Sequence, residues 1–123
     1  MRFEEIRRFC LSFPQAQENL QWGDQLCFKV GGKIFAIVGL DSVPQPLCFK
    51  CAPQAFEELL EREGIRPAPY LGRYQWVLIE AIDRLPAREL EALLRQSYAL
   101  VSAKTKLKRA KSGTRKKSRK PRP

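Results

Sequence analysis

The side chains with the clearest chemical role are cations, and about half of them lie in one terminal run. Between Lys104 and Pro123 the chain has eleven Lys and Arg residues and no acidic residue. With 23 Lys and Arg and 13 Asp and Glu in all, residues 1–103 keep twelve bases and thirteen acids, a net charge of −1. A run of cations neutralises phosphates whatever the base sequence. The run therefore predicts contact with a nucleic acid backbone through Lys104, Lys106, Lys108, Arg109, Lys111, Arg115, Lys116, Lys117, Arg119, Lys120 and Arg122.

The near-neutral part of the chain holds a second group of candidate residues. The tetrapeptide Leu-Cys-Phe-Lys occurs at 26–29 and again at 47–50, which predicts that Lys29 and Lys50 project from one face of a sheet. With Lys33 they would position a nucleic acid, or they are simply solvated. Further along, a cation, an amide and an aromatic ring stand together in Arg73, Gln75 and Trp76. Such groups stack on bases and hydrogen-bond to them, and they equally cap a sheet edge.

Catalytic chemistry has little support. The chain has no His, and its carboxylates, Lys, Tyr and Cys form no recognisable acid–base or nucleophilic arrangement. The Gly31-Gly32 pair lacks the sequence context of a phosphate-binding loop. We therefore expect a protein that is not an enzyme and that has no cofactor and no small-molecule substrate.

The four cysteines are Cys10, Cys27, Cys48 and Cys51. Cys48 and Cys51 have C-x-x-C spacing, but in a strand residues three apart point to opposite faces. No His and no second such pair completes a zinc site. We interpret them as structural thiols and expect no metal, with binding of a metal by all four thiols as the alternative.

Two β-rich apolar runs meet at Gly31-Gly32 and predict a hairpin over 26–40, because paired glycines supply the positive φ of a tight turn. The second arm is apolar on both faces, which is typical of a central strand. A loop at 41–46 and a strand at 47–51 complete a three-stranded meander. Residues 74–79 predict one more strand, and residues 65–72 a loop.

Apolar residues at helical spacing predict three helices. The first carries Phe3, Ile6, Cys10 and Phe13 and ends at Pro14, and the second begins at Pro53 and stops at Gly64. The third follows Leu85-Pro86 and fades near Lys104. Residues 15–23 predict a connector, in which we interpret Trp22 as a lid on the core, with a binding residue as the alternative.

These elements predict an α+β fold with two layers, in which helices pack on one face of an antiparallel sheet built on a β-meander. Residues 1–103 form the domain. Residues 104–123 carry too few apolar side chains to offset the entropy of ordering, so we expect a disordered basic tail. No apolar run reaches the roughly 18 residues of a membrane span and no signal peptide is evident, so we expect a cytoplasmic protein with no membrane partner.

Several motifs in order resemble those of the MmcQ/YjbR family of small bacterial proteins over about residues 1–103. They are Phe28–Ala36, Lys50-Cys51 before Pro53, Trp76, Leu85-Pro86 with Glu89-Leu90, and Ser97–Val101. The resemblance implies a fold related to the CyaY or frataxin architecture, and DNA binding by two hairpin-like wings. Gln75 stands where the family usually has His, so any role that depends on imidazole is lost. The basic tail lies outside the family pattern.

Two functions remain open at this point. The first is a largely sequence-independent nucleic-acid-binding protein, acting as a monomer on DNA or RNA, with DNA favoured. The alternative is a protein-interaction module whose basic tail keeps it soluble.

Overall fold

The computed structural model describes the backbone of residues 1–113 and the side chains of residues 1–104. The elements are α1 (Phe3–Leu11), β1 (Gln17–Gln21), β2 (Gln25–Val30), β3 (Lys33–Gly39), β4 (Leu47–Lys50), α2 (Pro53–Leu60), β5 (Ile65–Pro67), β6 (Trp76–Ile79) and α3 (Ala87–Gly113). A short 3-10 helix, Gly72–Tyr74, precedes β6.

The strands form one antiparallel sheet of six strands in the order β1-β2-β3-β4-β6-β5. The predicted α+β fold and its meander of β2, β3 and β4 are confirmed. The sheet is wider than the sequence indicated, because β1 lies in the predicted connector 15–23 and β5 in the predicted loop 65–72. Both of those predictions were wrong for the residues that pair.

The β2–β3 hairpin turns at the predicted glycines, whose φ angles are 58° at Gly31 and 79° at Gly32. The register shifts within the hairpin, since Phe28 pairs with Ala36 while Lys29 pairs with Ile34. The extra residue, Phe35, makes a β-bulge. Phe35 and Ala36 are both fully buried in the core as a result.

All three helices pack on one face of the sheet. Alternate residues of the strands face them, and those residues join the helix stripes in one core cluster. Its fully buried members include Phe28, Val38, Leu47, Phe49 and Val77 from the sheet and Ile6, Cys10, Leu90 and Leu94 from the helices. The predicted apolar stripes of α1 and α3 are therefore the surfaces that hold the two layers together.

The face of the sheet without helices carries a row of four paired residues, Cys27, Ile37, Cys48 and Leu78. Cys48 is half-buried on this face, whereas Cys51 lies in the core cluster. The two thiols of the C-x-x-C motif thus point to opposite faces, as strand alternation predicted. Within the described residues no group of three or more His, Cys, Asp or Glu is arranged to hold a metal ion.

Two further expectations differ from the structure. Trp22 is 69% exposed in the turn between β1 and β2, so the prediction that it covers the core was wrong. α3 extends to Gly113, past Lys104 where the sequence predicted that it would fade. The tail that we expect to be disordered spans residues 104–123, of which residues 114–123 lie outside the described ones. Among the described residues, no helix has the length and hydropathy that would let it cross a bilayer.

Candidate nucleic-acid interface

The predicted site residues of the domain meet at one end of the sheet, which we call the hairpin end. It contains the turn between β2 and β3, the end of β4 at Lys50 and the start of β6 at Trp76, since Lys50 pairs with Trp76. Lys29 and Lys33 flank the turn at Gly31-Gly32. α3 approaches the same end, because Ser97 bonds to both Phe35 and Lys50.

Lys50 is held in place by its surroundings. Its ammonium nitrogen Nζ donates a hydrogen bond to the carbonyl oxygen of Tyr74 at 2.8 Å. Partial burial lowers the pKa of Lys50, and the nearby charge of Lys104 lowers it further. The electrostatic effect of Lys104 requires the two ammonium groups to be close. The basic run therefore starts beside the cations of the sheet.

The backbone at Lys50 is fixed by two side chains of α3. β3 and β4 separate beyond the pair Ala36 and Phe49, and the fully buried hydroxyl of Ser97 lies between them. Ser97 Oγ accepts a hydrogen bond from the Lys50 N–H at 3.0 Å and donates one to the Phe35 carbonyl at 2.6 Å. Gln96 Oε1 accepts a bond from the Ala52 N–H at 2.9 Å. α3 thus closes a gap in the sheet and sets the position of Lys50.

The loop between β5 and β6 supplies the remaining domain residues. The Arg73 guanidinium lies over the Tyr74 ring, 4.9 Å from its centroid. Gln75 has a φ of 65° in the left-handed region and ends the short 3-10 helix. Trp76 is only 7% exposed, so its ring supports this corner more than it offers a surface.

Lys29 and Lys33 lie on the other side of the hairpin end. Lys29 projects from the helix-free face, as Lys50 does, because Cys27 and Cys48 belong to the same cross-strand row and alternation places the lysines with them. The predicted shared face of Lys29 and Lys50 is therefore confirmed by the register. An open cleft of about 470 Å³ beside the turn is lined by Gln15, Ala16, Gln17, Gly31 and Gly32.

Charge is distributed unevenly along the strand direction. The hairpin end carries Lys29, Lys33, Lys50, Arg73 and Lys104. The carboxylate of Glu18, which pairs with Phe28 near this end, forms an ion pair with Arg7. The opposite end carries most of the acids, at Asp24, Asp41, Glu61, Glu63, Glu80, Asp83, Glu89 and Glu91, interspersed with arginines. The domain of residues 1–103, with a net charge of −1, therefore has one cationic end.

Sequence reasoning missed one exposed aromatic residue at this end, Tyr70, which lies between β5 and β6 and is 97% exposed. The nearby Tyr74 is 47% exposed. The signal available was a tyrosine next to Pro67 and Pro69, which indicated a loop but not the outward placement of the ring. The other predicted tail cations, from Lys106 to Arg122, lie outside the side chains that the structure describes.

Comparison with known proteins agrees with this architecture. The family model described as YjbR matches residues 11–100. The chain belongs to the YjbR family. It is similar to a crystal structure of a Deinococcus radiodurans protein with a DUF419 domain, at 30% identity and a TM-score of 0.75, covering 82% of this chain and 78% of that one. A search of curated proteins found no match.

A second solved structure shares the fold at lower sequence identity. A protein from Pseudomonas syringae is 18% identical and has a TM-score of 0.67, covering 82% of this chain and 99% of that one. At that identity the likeness concerns the fold alone. The family assignment thus rests on the matched residues 11–100, and the basic run after them is a feature of this chain.

Proposed function

We propose that this YjbR-family protein is a non-enzymatic nucleic-acid-binding protein that acts on DNA largely without regard to base sequence. The observation that supports it is the meeting of Lys29, Lys33, Lys50, Arg73 and Lys104 at the hairpin end. Phosphates of one strand would contact the sheet cations while the basic run follows the same backbone. Neither a cofactor nor an oligomer is needed for this mode of binding.

Affinity in this proposal comes from both parts of the molecule. The domain alone has a net charge of −1, so its long-range attraction for DNA is small, and the eleven cations of residues 104–123 would supply most of it. If about six of them neutralise phosphates, log K falls against log[salt] with a slope of roughly −5. The hairpin end would then fix the orientation of the bound strand.

The test is a comparison of full-length protein with residues 1–103 by fluorescence anisotropy over a range of salt concentrations. Removing residues 104–123 should take away most of the affinity and most of the slope. Circular dichroism should first establish that the shorter chain keeps its fold. A truncated chain with unchanged affinity and unchanged slope would contradict the assigned role of the basic run.

A protein-interaction role is the second candidate, and the exposed apolar side chains outside the hairpin end favour it. Trp22 is 69% exposed, Val43 97% and Leu20 57%. Trp22 and Val43 lie in neighbouring turns at the opposite end of the sheet, where the Leu40 N–H bonds to the Asp24 carbonyl. Under this alternative, Trp22→Ala would abolish capture of a partner and leave DNA affinity unchanged.

A further inference from the structure

The hairpin end carries aromatic rings that a phosphate-binding surface does not need. Residues 68–75, which we call the tyrosine loop, join β5 to β6 and hold Tyr70 at 97% and Tyr74 at 47% exposure. Neither ring belongs to the core cluster. The core therefore does not account for their position.

Backbone hydrogen bonds fix the conformation of the tyrosine loop. Ala68 donates to the Trp76 carbonyl at 3.0 Å and Trp76 to the Leu71 carbonyl at 3.3 Å, which closes the loop at its base. Leu71, Tyr74 and Gln75 each donate to a carbonyl three residues earlier, at 2.9 to 3.1 Å. The rings are thus presented on an ordered support.

Tyr70 also has a backbone conformation that a bulky residue seldom takes. Its φ is 66°, in the left-handed region that favours glycine. Such strained conformations are common where a loop serves binding. This geometry, next to Pro69, directs the chain so that almost the whole side chain meets solvent.

Two cations contact Tyr74. The Arg73 guanidinium sits 4.9 Å from the centre of its ring, and Lys50 Nζ bonds to its carbonyl oxygen at 2.8 Å. A nucleotide whose base stacked on the tyrosine would bring its phosphate within reach of these two positive groups. The negative backbone of the ligand complements the charge that surrounds the rings.

Exposed tyrosine rings can discriminate between single-stranded and double-stranded nucleic acid. In a duplex the faces of the bases are covered by their neighbours, whereas an unpaired base can stack on an exposed aromatic side chain. Each such stack strengthens binding roughly 5- to 150-fold and tolerates any base sequence, since every base has a π-face. A sequence-independent protein with exposed tyrosines beside its cations is thus suited to unpaired bases.

Resting on the proposed function, we infer that the preferred ligand is single-stranded nucleic acid, with Tyr70 and Tyr74 stacking on unpaired bases while Lys50 and Arg73 contact the adjoining phosphates. The hairpin lysines and the basic run follow the same strand. Trp76 is buried and supports the base of the loop, so its ring does not stack on a base.

The test uses full-length protein and three fluorescent probes: an oligothymidine of about 16 nucleotides, an abasic strand of equal length and a duplex. At one salt concentration we expect the oligothymidine to bind at least about tenfold more tightly than the abasic strand. It should also bind more tightly than the duplex. Equal affinity for the abasic strand, or tighter binding of the duplex, would overturn the inference.

Variants of the tyrosine loop give the second arm. Tyr70→Leu combined with Tyr74→Leu should reduce oligothymidine affinity to that of the abasic strand and leave abasic-strand affinity unchanged. Tyr70→Phe with Tyr74→Phe keeps the rings and should bind like the wild type. Trp22→Leu removes an exposed ring at the opposite end and should have no effect. Wild-type affinity in the leucine variant would overturn the assignment.

The three probes distinguish failure of the stacking inference from failure of the proposed function. If wild-type protein binds all three probes equally, phosphate contact stands and the stacking inference is overturned. If it binds none of them, the proposed function is overturned and the stacking inference with it.

Discussion

At the scale of single residues, the most informative contact joins Ser97 to the two strands that separate at the hairpin end. Its hydroxyl is fully buried and satisfies one backbone donor, at Lys50, and one acceptor, at Phe35. Without it the buried Phe35 carbonyl and the part-buried Lys50 N–H would both lose this partner. A buried group left unsatisfied costs roughly 1–3 kcal/mol. One small polar residue on α3 therefore fixes the backbone at Lys50, a residue of the proposed interface.

Ser97→Ala should lower the free energy of unfolding by about 1–3 kcal/mol, since the substitution leaves the Lys50 N–H and the Phe35 carbonyl unsatisfied. Urea denaturation of the variant measures this. Ser12→Ala is a suitable control, because Ser12 Oγ bonds to the Phe9 carbonyl at an exposed position and its loss should cost less than about 0.5 kcal/mol. Equal effects of the two substitutions would contradict the account of Ser97.

The buried thiols link stability to pH. Burial raises the pKa of Cys10 and Cys51 to about 12 and that of Cys48 to about 11. In the unfolded chain a thiol ionises near pH 8.5. Above that pH the unfolded state binds fewer protons than the folded state, so stability falls as the pH rises from about 9 towards the folded pKa values.

We expect Cys48→Ala to make that decline shallower, by up to about 1.4 kcal/mol per pH unit between roughly pH 9 and 11. Cys48 is the choice because it is only half-buried and a smaller side chain there leaves little cavity. Urea unfolding at several pH values gives the slope. Wild type and variant with parallel curves would mean that Cys48 ionises freely in the folded protein.

At the scale of elements, the hairpin of β2 and β3 carries two lysines of the proposed interface, and its turn depends on backbone geometry. Gly31→Val should destabilise the protein by more than about 1 kcal/mol, because a β-branched residue is strained at the φ of 58° found there. Thermal unfolding tests this. Gln17→Val, at an exposed position of β1, should leave the midpoint nearly unchanged, and a similar result for Gly31→Val would argue against a strained turn.

The elements that the sequence predicted are those whose apolar pattern suffices to define them. The Gly31-Gly32 pair, the alternation of Leu47 to Lys50 and the stripe of α3 each carry a local signal. β1 has no such signal, since its residues Gln17–Gln21 are mostly polar and it becomes a strand by pairing with β2. β5 is hidden for a similar reason, because it is three residues long and ends at Pro67.

The candidate site could be predicted in part. Lys29 and Lys50 were placed on one face by strand alternation, and Arg73, Gln75 and Trp76 were grouped by sequence proximity. What the sequence did not reveal depends on tertiary structure. The approach of Lys104 to Lys50 depends on the direction of α3 across the sheet. The exposure of Tyr70 depends on a left-handed backbone conformation, which a tyrosine in the sequence does not predict.

At the scale of the whole molecule, the central feature is polarity of charge in a domain that is neutral overall. Cations gather at the hairpin end and acids at the other, so a bound polyanion would be oriented by the domain and retained by the basic run. A general attraction due only to net charge would depend equally on arginines and lysines anywhere on the surface. The two accounts differ in one measurable respect.

That measurement compares two double variants with the same net charge. Lys29→Gln with Lys33→Gln removes two cations from the hairpin end, and Arg84→Gln with Arg88→Gln removes two from the opposite end. Titrations of a labelled oligonucleotide at several salt concentrations should show the lysine pair reducing the salt slope by about 2. The arginine pair should change it by less than about 0.5. Equal losses from the two pairs would contradict the assignment of the hairpin end as the binding surface.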